Sequence, residues 1–285
     1  MPKQRLGTGI DLYYESHGKG EPLVLIPGTG FAGNVWSPSQ VPVLSQKLRV
    51  IVLDPRGCGR SSAPEGIYTI EDMACDVAAL LDHLDLDSAH VVGHSMGGRI
   101  GIALALAFPA RVRSLILVAS GSGPAARPGE ECVSGLPFRV VKEMVEFGFE
   151  GYVRNEVFDT TTYFTRDFLK RHPEKVAAFW DMVWAHHAKW HPFLRLTMAR
   201  HAFEATHRLG NIAAPTLVAI GDNDDVGSNH VQQAKALAAR ITGAESLVLK
   251  GQSHGMFWQA PEETNAWILD WVMRHKAPSR LRAAR

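Results

Sequence analysis

Gly93-His94-Ser95-Met96-Gly97 is the stretch with the clearest chemical content in this sequence. A serine hydroxyl is a poor nucleophile until a base takes its proton during attack. Here an apolar run, AHVVG, ends at Gly93, and a helix-compatible run, MGGRIGIALALA, begins directly after Ser95. A strand that turns at once into a helix forces the residue between them into strained geometry and lifts its hydroxyl clear of the sheet. Gly93 and Gly97 are expected where a Cβ would collide with neighbouring backbone. The Met96 N–H then lies at a helix N-terminus, where free donors and the dipole favour a developing anion. The competing reading makes Ser95 a plain helix N-cap. The five-residue pattern alone arises by chance in roughly one chain in ten of this length at average Gly and Ser usage. Its position between strand and helix raises it above chance.

A serine of this kind needs an imidazole to take its proton and a carboxylate to orient that imidazole. The chain has 13 His, so position has to decide. His254 stands in KGQSHGMFWQAPEE, between an apolar run and the last helical stretch. His94 adjoins Ser95 but points elsewhere and is read as structural. His186, His187 and His191 are read as helix-surface or pocket-wall residues. His186 and His187 are consecutive and lack metal-ligand spacing. For the carboxylate, the residues after PTLVAIG offer Asp222, Asp224 and Asp225.

The elements that must carry these groups alternate along the chain. Short Val/Ile/Leu-rich runs at 22–26, 49–53, 89–92, 114–119, 216–220 and 246–249 read as strands covered on both faces. Helical stretches fall at 69–84, 96–107, 230–239 and 262–276, with Thr69 and Asp72 forming an N-terminal box. The opening 6–16 is expected to add one or two antiparallel strands. This alternation predicts an α/β fold with a mostly parallel sheet and helices on both faces. Residues 121–210 break the rhythm with aromatic-rich helical sequence and no convincing strand. They are read as a helical lid over the carboxyl edge of the sheet, dividing a core of 1–120 and 211–285. The tail 277–285, with Arg280, Arg282 and Arg285, is expected to fray.

With these motifs in place the chain resembles the α/β-hydrolase fold superfamily, in its serine-nucleophile branch, over nearly its whole length. LVLIPGTG is similar to the family's oxyanion loop. VIVLDPRGCGRSSAP resembles its D-x-R-G-x-G-x-S segment, carried by Asp54, Arg56, Gly57, Gly59 and Ser61. The resemblance implies a triad of Ser95, Asp224 and His254 in the family's chain order, with Asp224 preferred over its neighbours because it stands three residues after Gly221. It also implies an oxyanion hole from the N–H groups of Met96 and Thr29, with Gly30 as the fallback. There are two departures. Pro27-Gly28 stands where the family often has His-Gly, which is expected to alter loop packing while keeping the donors. Gly255 stands where the family's C–C bond hydrolases carry a tryptophan.

Composition narrows the rest. The chain has 285 residues, with Lys+Arg 30 against Asp+Glu 29, which offers no field for nucleic acid or anionic lipid. Three scattered cysteines form no disulfide framework or zinc pattern, and no apolar leader or membrane span is evident, so a cytoplasmic protein is expected. The expected activity is hydrolysis of a small apolar or aromatic carboxylic ester or lactone, without metal or organic cofactor. The expected partner is a small-molecule substrate, with a homodimer allowed. Gly30, Trp36, Phe257 and Trp258 are candidates for the substrate pocket, joined by Phe179, Trp180, Trp184 and Trp190, which serve equally well as packing core. A C–C hydrolase of a vinylogous diketone, a cofactor-free perhydrolase and a non-catalytic receptor are the competing readings.

Overall fold

Continuous apolar runs dominate the sheet because its central strands are covered on both sides. The computed structural model describes residues 3–123, 132–133, 136–155, 163–224 and 230–276. The strands in chain order are β1 (Gln4–Arg5), β2 (Asp11–His17), β3 (Glu21–Ile26), β4 (Leu48–Asp54), β5 (Ala89–His94), β6 (Val112–Val118), β7 (Cys132–Val133), β8 (Leu136–Pro137), β9 (Thr216–Gly221) and β10 (Glu245–Leu249). Eight of these form one sheet in the order β1-β2-β4-β3-β5-β6-β9-β10. β1 and β2 run antiparallel at one edge, and every pairing from β4 to β10 is parallel. Every residue of β5 and β9 is buried, whereas β10 pairs on one side only and leaves Val248 exposed.

The helices are α1 (Gln40–Leu44), α2 (Ile70–His83), α3 (Met96–Ala107), α4 (Phe138–Arg154), α5 (Arg166–Arg171), α6 (Pro173–His186), α7 (Trp190–Ala202), α8 (His230–Arg240), α9 (Met256–Gln259) and α10 (Pro261–Arg274). They pack on both faces of the sheet, which is the α/β-hydrolase architecture. α2 starts as its sequence requires. The Thr69 hydroxyl accepts from the Asp72 N–H at 2.9 Å, and the Asp72 carboxylate accepts from the Thr69 N–H at 3.1 Å. α3 is almost wholly buried and lies behind β5. Among the described residues, no helix is long and apolar enough to cross a membrane.

Between β6 and β9 lie α4–α7, together with the short antiparallel pair β7–β8. That pair corrects the expectation of a strand-free stretch; two residues per strand are too few for any periodicity to appear. This segment reaches the sheet's carboxyl-end loops through backbone contacts. Ala188 N–H donates to Gly30 O at 2.8 Å, Gly59 N–H to His186 O at 3.0 Å and Gly255 N–H to Tyr163 O at 2.7 Å. Residues 124–130 of the expected lid opening, the candidate Asp225 and the tail 277–285 lie outside the described residues.

Candidate active site

Strand register brings the chemical groups together. β3 sits between β4 and β5, so the chain leaves it toward one neighbour and returns on the other, opening a crevice at the strands' carboxyl ends. Ile26 pairs with Gly93, which sets the loop after β3 beside the turn after β5. His94 pairs with Val118 and Leu249 with Gly221, so the loops after β9 and β10 emerge along the same edge. Ser95 follows β5 directly, Asp224 stands three residues beyond β9, and His254 five beyond β10.

Ser95 adopts φ 54° and ψ −115°, a region that costs a non-glycine residue about 1–3 kcal/mol. Three bonds hold it there. Its N–H donates to Val118 O at 2.9 Å, and its carbonyl accepts from Gly98 N–H at 3.0 Å and from the Ser120 hydroxyl at 2.7 Å. The two flanking glycines are sterically required. A Cβ on Gly93 would overlap the Gly97 carbonyl, and one on Gly97 would overlap the carbonyl of Ile26. The Ser95 side chain makes no N-cap bond to α3, so the plain-cap reading fails.

His254 is buried, and its Nδ1 lies 3.0 Å and 3.2 Å from the two Asp224 carboxylate oxygens. A carboxylate oxygen accepts, so the Nδ1 donates its N–H toward Asp224. Asp222 is spent elsewhere: it is exposed and accepts from Gly251 N–H at 2.7 Å. The histidine loop is tied down by the Ser253 hydroxyl, which donates to Tyr163 O at 2.6 Å. His94, expected to point elsewhere, lines the same cavity as Ser95 and also braces the histidine loop. Its Nε2 donates to His254 O at 3.0 Å, and its ring packs 4.7 Å from that of His254.

Ser95 and His254 line one cavity of about 60 Å³, with Gly28, Thr29, Phe31 and His94 completing its core side. Its far wall is Tyr152, Val153, Tyr163, His187, Phe193 and Arg200, all from the helical segment. Thr29 is thus brought to the cavity. Met96 is buried at the first position of α3, next to Ser95. Among the turns, loops and caps of the described residues, neither the Thr29 nor the Met96 N–H donates to a backbone carbonyl. Burial pushes His187 down to about 4, and its Nδ1 donates to Ala188 O at 2.8 Å. Burial, together with the charge of Asp224, pushes the Tyr163 phenol well above its usual value. Both groups are therefore neutral at pH 7.

A family model described as alpha/beta hydrolase fold matches residues 21–261. This chain belongs to the alpha/beta hydrolase fold family, and is a hydrolase at that level. It is 34% identical over 267 residues to an Azorhizobium caulinodans protein named "Putative carbamate hydrolase RutD", covering 92% of this chain and 95% of that one. The enol-lactonase of Burkholderia xenovorans LB400 is similar in structure, with TM-score 0.81 and 28% identity over 95% of this chain and 100% of that chain. A thermophilic esterase from Thermogutta terrifontis is likewise similar, with TM-score 0.81 and 26% identity over 96% of this chain and 98% of that chain.

Within this hydrolase fold the expected pocket aromatics are placed differently. Trp36, Phe257 and Trp258 do not line the cavity. Trp36 and Phe257 are buried with ring centroids 4.7 Å apart, Phe257 packs on His94 at 4.9 Å, and Trp258 packs on Phe179 at 5.0 Å. They back the histidine loop, where large apolar rings fill the space between the sheet edge and α6. Phe179 and Trp180 are likewise core, Trp184 stacks on Trp180 at 5.1 Å, and Trp190 is exposed. Gly30 is also absent from the lining. Its φ of 78° turns the loop, so that Thr29 and Phe31 face the cavity instead. Asp54, Arg56 and Ser61 build the neighbouring loop. Asp54 accepts from Gly33 N–H at 2.9 Å, Arg56 Nε donates to Asp76 at 2.7 Å, and the Ser61 hydroxyl donates to Asp54 O at 2.5 Å. The sequence reading missed Tyr152, Val153, Tyr163, Phe193 and Arg200. They sit on the far wall, where no local motif marks which helix face turns inward.

Proposed function

We propose that this hydrolase cleaves a small carboxylic ester or lactone through an acyl-enzyme on Ser95. The observation that carries this reading is the shared cavity. Strained Ser95 and Asp224-held His254 line the same small space. His254 takes the Ser95 proton as the oxygen attacks the carbonyl, and Asp224 stabilises the imidazolium formed. The Thr29 and Met96 N–H groups receive the oxyanion, each contributing on the order of 10²–10³ in turnover. His254 then protonates the leaving alcohol and deprotonates the water that frees the acid. The helical segment acts as a cap that keeps bulk water from the intermediate. A cavity of this size favours a short acyl group over a long chain.

Carbamate cleavage is the second reading, supported by the name of the Azorhizobium relative. The same attack on a carbonyl serves it: water then cleaves the carbamyl-enzyme, returning a proton to Ser95 through His254 and freeing a carbamic acid, which loses CO2. C–C cleavage is disfavoured, because a Cβ on Gly255 would lie 2.6 Å from the Tyr163 ring, leaving no place for the tryptophan of that group. The test is p-nitrophenyl acetate turnover with Ser95→Ala and His254→Ala variants. Both are expected to lose at least about 10⁴-fold in kcat, and His254→Ala to resist labelling by an active-site phosphonate. Native-like turnover in Ser95→Ala, or normal labelling in His254→Ala, removes the assignment.

A further inference from the structure

The cavity holds more polar capacity than the proposed chemistry uses. Thr29 Oγ1, Tyr163 Oη, His187 Nε2 and Arg200 Nε are buried atoms of its lining residues with no hydrogen-bond partner among the described residues. Buried polar groups are normally paired, so an unpaired set around one small space marks where a ligand's own polar atoms belong. Thr29, Tyr163 and Arg200 can all donate. His187 can only accept, because its Nδ1 proton is given to Ala188 O.

Arg200 differs from the others in carrying a permanent charge. No Asp or Glu lines the cavity among the described residues. Among the described residues the Arg200 guanidinium donates from Nη2 to His201 Nε2 at 3.2 Å. Behind it lies a second guanidinium, that of buried Arg99, which donates to Gly123 O. Burial and the charge of Arg200 both push Arg99 below its usual value, and Glu204 opposes them. Glu204 itself accepts from Thr206 N–H at 2.6 Å. Among the described residues, this side of the cavity therefore carries positive charge without a carboxylate in its lining.

We infer that the Arg200 guanidinium is a carboxylate-binding subsite, so that the substrate is an ester or lactone of a small molecule bearing a further ionised carboxyl group. The inference rests on the hydrolase reading proposed above and narrows its substrate class. A wholly neutral substrate would exclude water from the guanidinium and leave the charge unmatched. A carboxylate accepts charge-assisted bonds from it and is fixed in direction by the planar fork. With the carboxylate anchored on the α7 wall, the scissile carbonyl lies toward Ser95 across a cavity too small for much reorientation.

The test reads a preference, which cancels any general loss of folding or catalysis. Two matched ester pairs place the charge on either side of the scissile bond: methyl pentanoate against monomethyl glutarate, and 4-methylphenyl acetate against 4-acetoxybenzoate. Each rate is normalised to that ester's rate with hydroxide. The native enzyme is expected to favour the charged member of at least one pair by about tenfold in kcat/KM. Arg200→Gln removes this preference and Arg200→Lys keeps part of it. A preference missing from both pairs, or one that survives in Arg200→Gln, overturns the subsite. Calorimetric titration of Ser95→Ala with glutarate separates the subsite from the chemistry. Binding that weakens about tenfold or more when Arg200→Gln is added supports the subsite even if no ester is hydrolysed, an outcome that counts against the hydrolase reading alone. Equal binding in the two variants, or none in either, overturns the subsite and leaves the hydrolase reading standing.

Discussion

Ser95 is held in a conformation its own backbone resists, so the groups that hold it matter as much as its hydroxyl. The Ser120 hydroxyl donates to the Ser95 carbonyl from the loop after β6. Removing that donor leaves a buried carbonyl short of one partner, at about 1–2 kcal/mol. Ser120→Ala is therefore expected to lower kcat about tenfold with KM little changed, and to slow phosphonate labelling by a similar factor. Native rates of labelling would show that the other two bonds suffice. The pattern of readable and unreadable residues follows from the same physics. That Ser95, Asp224 and His254 meet at one sheet edge is readable because each stands at a fixed offset from a strand end. Ser120 was not, since a hydroxyl bonding to a distant backbone carbonyl leaves no local signature. Trp36 and Phe257 were misread because a large ring near a site looks the same in sequence whether it faces the cavity or backs the loop that does.

At the level of elements, α3 and β5 were readable almost to the residue, because strand, serine and helix follow each other without a linker. The expected helix 96–107 is the observed α3. The helical segment between β6 and β9 was readable in kind but not in facing. Its helices are amphipathic against two surfaces at once, the sheet-edge loops and each other, so apolar spacing does not select the cavity side. The junction of α3 with β3 makes a sharp prediction. A methyl group at Gly97 would overlap the carbonyls of Ile26 and Pro27, and these are rigid backbone atoms. Gly97→Ala must push the start of α3 away from β3, separating the Met96 N–H from the Thr29 loop. Turnover is expected to fall by on the order of 10²–10³, the loss associated with one oxyanion donor. The measurement is kcat/KM beside a circular-dichroism melt. A folded Gly97→Ala enzyme with native kcat/KM would mean the two donors need not be held at a fixed separation.

Across the whole molecule, Lys+Arg 30 and Asp+Glu 29 nearly cancel, so net charge gives stability little dependence on pH near neutrality, and individual buried groups dominate it. His90 lies in the centre of the sheet at the end away from the active site. Its Nδ1 pairs with the Ser114 hydroxyl at 2.7 Å, and its Nε2 is 3.8 Å from the Glu21 carboxylate. Burial pushes it down to about 4, with Arg113 and His275 adding to the effect, and Glu21 is itself engaged by Arg113. In the unfolded chain the same imidazole titrates near about 6.5, so between these values the unfolded state binds the extra proton. Its contribution is complete above about pH 6.5 and is lost as pH falls toward 4. The full loss is roughly 3 kcal/mol, from about 2.5 units at 1.36 kcal/mol each. His187, also pushed to about 4, acts with the same sign over the same window. Urea midpoints are therefore expected to fall from pH 7 to pH 4.5, and to fall less steeply in His90→Gln, whatever that variant costs at neutral pH. Parallel slopes in the two proteins would mean that His90 takes up its proton inside the fold without penalty. Burial between two strands would then not be what sets its charge.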